Sequence, residues 1–254
     1  MKSVIKVALI GILFSIGFYF LRTHGFSIHY NVSILISDLG GLVYLYSTVG
    51  MIFAVFAAFV VVSEAQDWNM LVNAAKNEVG ALSEIWLWSE QLSEDLKKKY
   101  KNCIEGYLEN VINDEWARAA QGQESSQTSE SVQPFHNLIS KASTEDKELG
   151  RRIFSAFTNL LSNRSTRLEL SYEPLPKILK FTVTLVATAL IVLSLLIGVR
   201  DAWLDYVFLL SIVILVSIIL LVINDLDNPL DPGEWYLKPK MYQELLSQLR
   251  SRNA

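Results

Sequence analysis

The sequence predicts an all-α membrane protein, with four transmembrane helices and a helical cytoplasmic domain between the second and the third. Three observations carry that prediction. Hydrophobic residues make up 51% of the 254 positions, and charges are absent from four long windows. The segment between the second and third windows is polar overall but repeats its apolar residues at helical spacing. Lysine and arginine avoid the two loops that would face outward, in keeping with the positive-inside rule.

The first window runs from Val7 to Leu21 and reaches back to Val4 if Lys6 snorkels to the interface, giving a helix over about 4–21. Lys2 and Lys6 precede it as in a signal peptide, but the run closes in "FYFLRTHG" without a small-x-small cleavage site, so a retained helix is expected. The next stretch, "FSIHYNVSILIS", alternates. Phe26, Ile28, Tyr30, Val32, Ile34 and Ile36 share one face, which predicts a short strand or an extended interfacial segment over 26–37.

The second window, Leu39 to Ser63, predicts a helix over about 41–62 and closes a first unit spanning 1–62. Gly50, Ala54 and Ala58 recur every fourth residue, a strip that lets another helix approach closely. Ile52, Phe53, Phe56, Phe59 and Val60 occupy the opposite arc, with Glu64 a turn beyond Val60. That arc reads either as a lipid-facing aromatic surface or as an apolar constriction with a carboxylate at its inner mouth.

Residues 63–176 form the predicted cytoplasmic domain. Apolar stripes run through Trp68, Leu71, Ala75, Val79 and Leu82, then Leu96, Tyr100, Ile104, Leu108 and Val111, then Leu149, Ile153, Phe157 and Leu160. The run "QGQESSQTSESVQ" lacks such periodicity and is expected as a loop. "KKKYK" at Lys97–Lys101 is expected as a solvated helix face. Eighteen acidic against twelve basic residues leave this domain at −6, which argues against a nucleic-acid partner.

The third and fourth windows, Phe181–Val199 and Tyr206–Asn224, predict helices over about 178–199 and 204–224 within a second pair spanning 177–224. A cytoplasmic turn and helix follow at 225–254. Of 22 basic residues only Arg22 and Arg200 fall in the external loops, so both termini and the central domain are expected in the cytoplasm. Cys103 lies on that reducing side.

Motifs of catalysis are missing. There is no glycine-rich phosphate loop, no HExxH and no CxxC, and no serine has a base and an orienting acid at motif spacing, so no enzymatic activity is expected. Chemistry concentrates after the fourth helix. Asp225, Asp227, Asn228 and Asp231 supply hard oxygen donors of the kind Ca²⁺ or another cation accepts. They lack the spacing of an EF-hand, and on spacing alone they read first as a helix stop whose side chains make turn hydrogen bonds around Pro229.

Four stretches carry a resemblance: "EVGALSEIW", "YLENVINDEW", "NRSTRLELSYEPLP" and "LDNPLDPGEWYLKP". In their order and spacing they resemble a bacterial membrane family described as bestrophin-like, over roughly Tyr44 to Leu249, and more distantly the bestrophin ion channels. The match departs at Leu230, where the family carries an aromatic. The resemblance implies a homo-oligomeric, pentameric channel in the bacterial inner membrane, conducting ions passively along the second helices. It implies a neck at Phe53, Phe56 and Val60 and a mouth charge at Glu64; the acidic balance favours cations over anions. It also implies a calcium clasp at the acidic turn. The other reading is a non-conducting membrane scaffold or sensor, whose cytoplasmic helices bind a partner.

Overall fold

The computed structural model describes Ile5, residues 9–17, Tyr19 and residues 39–172, 175–197, 202–231 and 233–251. The alternating segment 26–37 and the loop after the third window lie outside them. The described residues are helical and contain no strand. After a helical stretch at 9–17 the elements are α1 (Leu39–Ser89), α2 (Glu94–Asn110), a π-helical turn (Val111–Glu115), α3 (Trp116–Ala119), α4 (Ser126–Ser131), α5 (Gln133–Glu145), α6 (Lys147–Tyr172), α7 (Lys177–Ile197), α8 (Ala202–Leu226) and α9 (Lys240–Ser251). Three are long and apolar enough to cross a membrane, over Gly41–Ser89, Lys177–Leu195 and Trp203–Leu226.

The chain divides into two compact units. One comprises Met1–Ala65 and Leu175–Asp227; the other comprises Gln66–Pro174 and Asn228–Ala254. The second window and the first apolar stripe after it are one uninterrupted helix of 51 residues, α1, because no glycine pair or proline breaks the ladder between them.

In the first unit α1, α7 and α8 bury Phe53, Ala57, Val60, Val183, Ala187, Leu190, Val216 and Ile223 against one another. Gly50 permits a close approach of α7, since a Cβ there would stand 3.6 Å from Leu190 Cδ1. Hydroxyls that would be costly in hydrocarbon are satisfied within their helices: Thr182, Thr184 and Thr188 donate to the carbonyls of Ile178, Lys180 and Thr184. Ser15 bonds to Gly11 O and also shares a 2.7 Å hydrogen bond with Tyr206, tying the stretch 9–17 to α8.

The second unit surrounds a core that includes Leu82, Ile85, Tyr100, Ile104, Leu108, Phe135, Ile153 and Phe157. Its turns are capped by side chains. Glu145 accepts from Ser93 N and Ser93 Oγ at the start of α2, and Asp146 Oδ1 accepts from the amides of Glu148 and Leu149 at the start of α6. Gly150 lets α6 press against α5; a Cβ there would come within 2.5 Å of Ser143 Cα.

Two expectations need correction here. The polar run after α3 is not all loop. Ser125 caps α4 by accepting from Thr128 N, and Thr128 is itself buried, so local capping supplies what apolar periodicity did not. Lys101 of the "KKKYK" run is buried with its ammonium 3.6 Å from Glu105, while Lys98 and Lys99 are solvated.

Candidate functional site

Helix α1 presents two contrasting faces in the first unit. Phe53, Val60 and Glu64 are 4%, 0% and 7% exposed, Phe53 and Val60 covered by the unit's own helices, and Phe56 is half-buried. Across the helix Met51, Val55 and Phe59 are 71%, 67% and 64% exposed. Of the small-residue strip, Gly50 is half-buried near Leu190, whereas Ala54 and Ala58 lie on the uncovered side. The aromatic arc read from the sequence as one surface is thus divided. Spacings of three and four place Phe53, Ala57, Val60 and Glu64 in a single inward row, which separates Phe53 and Val60 from Phe59.

The acidic turn is likewise divided. Asp227 Oδ1 accepts from Leu175 N at 2.5 Å, and Oδ2 pairs with Lys180 Nζ at 2.8 Å. One carboxylate therefore joins the end of α8 to the entry of α7, whose first amides are orphan donors next to Pro176. Asp225 is half-buried; Asn228 and Asp231 are exposed, and Asp231 N donates to Asn228 O. Among the described residues no group of three or more His, Cys, Asp or Glu side chains is placed to hold a metal ion.

The most concentrated chemistry lies in the second unit, at residues not singled out from the sequence. Arg167 is fully buried on α6. Its Nε donates to Glu78 Oε2 at 2.7 Å, and its Nη2 donates to Glu78 Oε1 at 3.2 Å and to Glu115. Arg164, one turn earlier, donates from Nε to Glu115 Oε2 at 3.1 Å and from Nη2 to Ser129 Oγ at 3.1 Å. Tyr107 OH donates to Glu78 Oε1 at 2.8 Å. The Arg167 guanidinium stands 5.3 Å from the ring centre of Trp116 and 5.8 Å from that of Tyr242. Two carboxylates face two guanidinium groups, so each buried group meets one of opposite sign.

The π-helical turn contributes to this arrangement. By adding a residue to the helical repeat it rotates Glu115, its last residue, onto the arginine pair. Burial alone would push the Glu115 carboxyl up; the charge of Arg167 and the hydrogen bond from Arg164 outweigh it and hold the group below the usual carboxylate range. Burial would likewise lower Arg167, but the charge of Glu78 keeps it well above the ordinary guanidinium value.

Every stretch that carried the resemblance takes part. Glu78 comes from "EVGALSEIW", Tyr107, Glu115 and Trp116 from "YLENVINDEW", and Arg164 and Arg167 from "NRSTR". Trp116 Nε1 donates to the carbonyl of Leu237 in the fourth stretch at 3.0 Å. The available signal was charged residues inside otherwise apolar helical stripes; only the tertiary fold brings 78, 115, 164 and 167 together.

A family model described as a bestrophin-like domain matches residues 12–232. No curated protein matches in sequence. Among solved structures, a bacterial bestrophin homologue from Klebsiella pneumoniae superposes with a TM-score of 0.72 at 12% identity, covering 98% of this chain and 100% of that one. A second variant of that homologue gives 0.73 at 12% identity, with 100% and 99% covered. A crystal structure titled only as a membrane protein gives 0.73 at 12% identity, with 99% and 98% covered.

Proposed function

The chain belongs to the bestrophin-like family, and from that premise we propose that it is the subunit of a ring-shaped homo-oligomer, a pentamer, that conducts ions passively. The observation that carries this reading is the uncovered face of α1. Its other face is already packed against α7 and α8, yet Ala54, Val55, Ala58 and Phe59 are exposed among the described residues. Alanines favour close approach of another helix, and large apolar side chains beside them suit a constriction that gates by wetting.

Of the expected neck residues, Phe56 is the least buried. Phe53 and Val60 support it from behind, and Val55 and Phe59 continue the apolar lining. Glu64 and the −6 balance of residues 63–176 support a preference for cations. The subunit is oriented with both termini and the second unit in the cytoplasm of the bacterial inner membrane.

The test is reconstitution in a planar bilayer, with the particle's stoichiometry counted by native mass. A pentamer with a conductance raised by Phe59→Ala or Phe56→Ala, and a cation-selective reversal potential reduced by Glu64→Gln, is the expected result. A non-conducting monomer would replace the channel by a scaffold. On intact cells Trp203→Cys should react with an impermeant thiol reagent and Gln127→Cys should not; the reverse pattern overturns the orientation.

A further inference from the structure

Helix α9 and the segment that leads into it lie across the charged cluster of the second unit. The attachment centres on one row of side chains. Tyr242, Leu245 and Leu249 form one buried row at spacings of three and four, and the rest of the helix surface is polar or half-exposed. A groove of about 470 Å³ runs along one flank, with Ile112 and Asn113 facing Leu246 and Ser247. Another of about 220 Å³ runs along the other flank, with Val79 and Ser83 facing Met241 and Gln248. Met241 and Leu246 flank the row and pack partly against the core, and Arg250 pairs with Glu109 beside the larger groove.

The lead-in is fastened by two indoles. Trp68 Nε1 donates to Trp235 O at 3.1 Å, with the two rings edge to face at 5.3 Å, and Trp116 Nε1 donates to Leu237 O at 3.0 Å. Beneath the helix, Tyr242 packs edge-on against Trp116 at 5.4 Å and over the Arg167 guanidinium. The surface under α9 is therefore partly ionic. Removing a cover from apolar core exposes hydrocarbon to water. Removing one from Glu78, Arg167 and Glu115 instead lets water reach charges whose desolvation is costly, and that hydration offsets part of the lost packing.

We propose that Trp235–Ser251 is a strap that opens as one unit from an otherwise intact body and uncovers the Glu78–Arg167–Glu115 cluster. The opening does not depend on whether the protein conducts ions. It differs from fraying of a terminal helix because the fastenings lie at the lead-in and along the whole buried row, so the segment leaves together.

Hydrogen exchange on the full-length protein in lipid nanodiscs tests this. Amides of Tyr242 to Leu249 should share one rate, about tenfold or more faster than amides in the middle of α6. Leu249→Ala should raise all of them by a common factor and leave α6 unchanged. In a Cys103→Ser background, a Leu245→Cys thiol should be alkylated at the rate of that opening. Equal protection in α9 and α6, rising together in Leu249→Ala, would make α9 part of one cooperative core. Protection that declines stepwise from Tyr242 to Ser251 would reduce the motion to fraying. Either result overturns the strap, as does a Leu245→Cys thiol inert to alkylation.

Discussion

In the unit formed by Met1–Ala65 and Leu175–Asp227, the large side chains at the surface are apolar: Met51, Val55, Phe59, Leu185 and Leu215. In the unit formed by Gln66–Pro174 and Asn228–Ala254, fully buried positions include Glu78, Glu115 and Arg167, with salt-bridged lysines, arginines and acids outside. Both units are built from similar helices, and α1 belongs to both. The difference shows that composition along a helix records its surroundings and not its stability. Next to lipid the outer face must be apolar, and packing is specified by small residues such as Gly50. Next to water the outer face is polar, and the interior tolerates charge provided every charge has its partner.

The largest expected effect breaks the second half of that contrast. Arg167→Met leaves Glu78 and Glu115 buried without their main counter-charge and should cost about 3–5 kcal/mol, read as a lowered thermal midpoint or failure to fold. Arg152→Met is the control. Its guanidinium lies at the surface, 4.7 Å from the Trp88 ring, and its loss should cost less than about 1 kcal/mol. The same cluster sets the acid limb of stability. Because Glu115 is held below the usual carboxylate range, its contribution is complete above the ordinary glutamate value and is lost as pH falls through the lowered one. In Glu115→Gln that acid-side loss should shrink. Equal midpoints for Arg167→Met and Arg152→Met would show that the body is not organised around its buried charges.

These charges also mark where reading the sequence stops. The second, third and fourth windows are legible because exclusion of charge over about 20 residues has one common cause, the thickness of hydrocarbon. They reappear in α1, α7 and α8. The stripes through Leu82, Ile104 and Phe157 are legible because helical period and burial coincide. The division of the aromatic arc on α1 was not, since Phe53 and Phe59 become different only when α7 and α8 choose a side. The role of Asp227 was hidden for another reason. Its partners Leu175 and Lys180 lie about fifty positions away in sequence, and no local pattern distinguishes it from Asp225 or Asp231. The four buried charges come from α1, the π-helical turn and α6, which must all be in place before they meet.

A middle-sized effect probes the first unit. Gly50→Ala should be tolerated, because a Cβ there meets only Leu190 Cδ1 at ordinary contact distance. Gly50→Leu adds atoms where the helix already touches its neighbour and should cost about 1–3 kcal/mol through overpacking. The measurement is thermal stability of the purified protein in detergent, alongside its oligomeric mass. If Gly50→Leu matches wild type in both, small residues do not set helix spacing in this unit.

The smallest effects fall within the acidic turn, where the contrast recurs on the scale of a few residues. Asp227 is 4% exposed at its side chain and bonds to a backbone amide, whereas Lys180 is 43% exposed, so solvent weakens the ionic part of the pair. Asp227→Ala should cost about 1–2 kcal/mol, mostly from leaving the Leu175 amide without its acceptor. Asp231→Asn, at an exposed residue, should stay within about ±0.5 kcal/mol. The proposal of a cation clasp makes a different forecast. Millimolar Ca²⁺ at about a hundredfold excess over Kd would add about 2.7 kcal/mol to wild type. Asp225→Asn and Asp231→Asn would abolish that gain. Asp227 already accepts from Leu175 N and pairs with Lys180, so a cation there would compete with the Lys180 ammonium for the carboxylate. A melting curve unmoved by Ca²⁺, together with a destabilised Asp227→Ala and a neutral Asp231→Asn, leaves Asp227 as an internal fastening and Asp231 as a solvated turn residue.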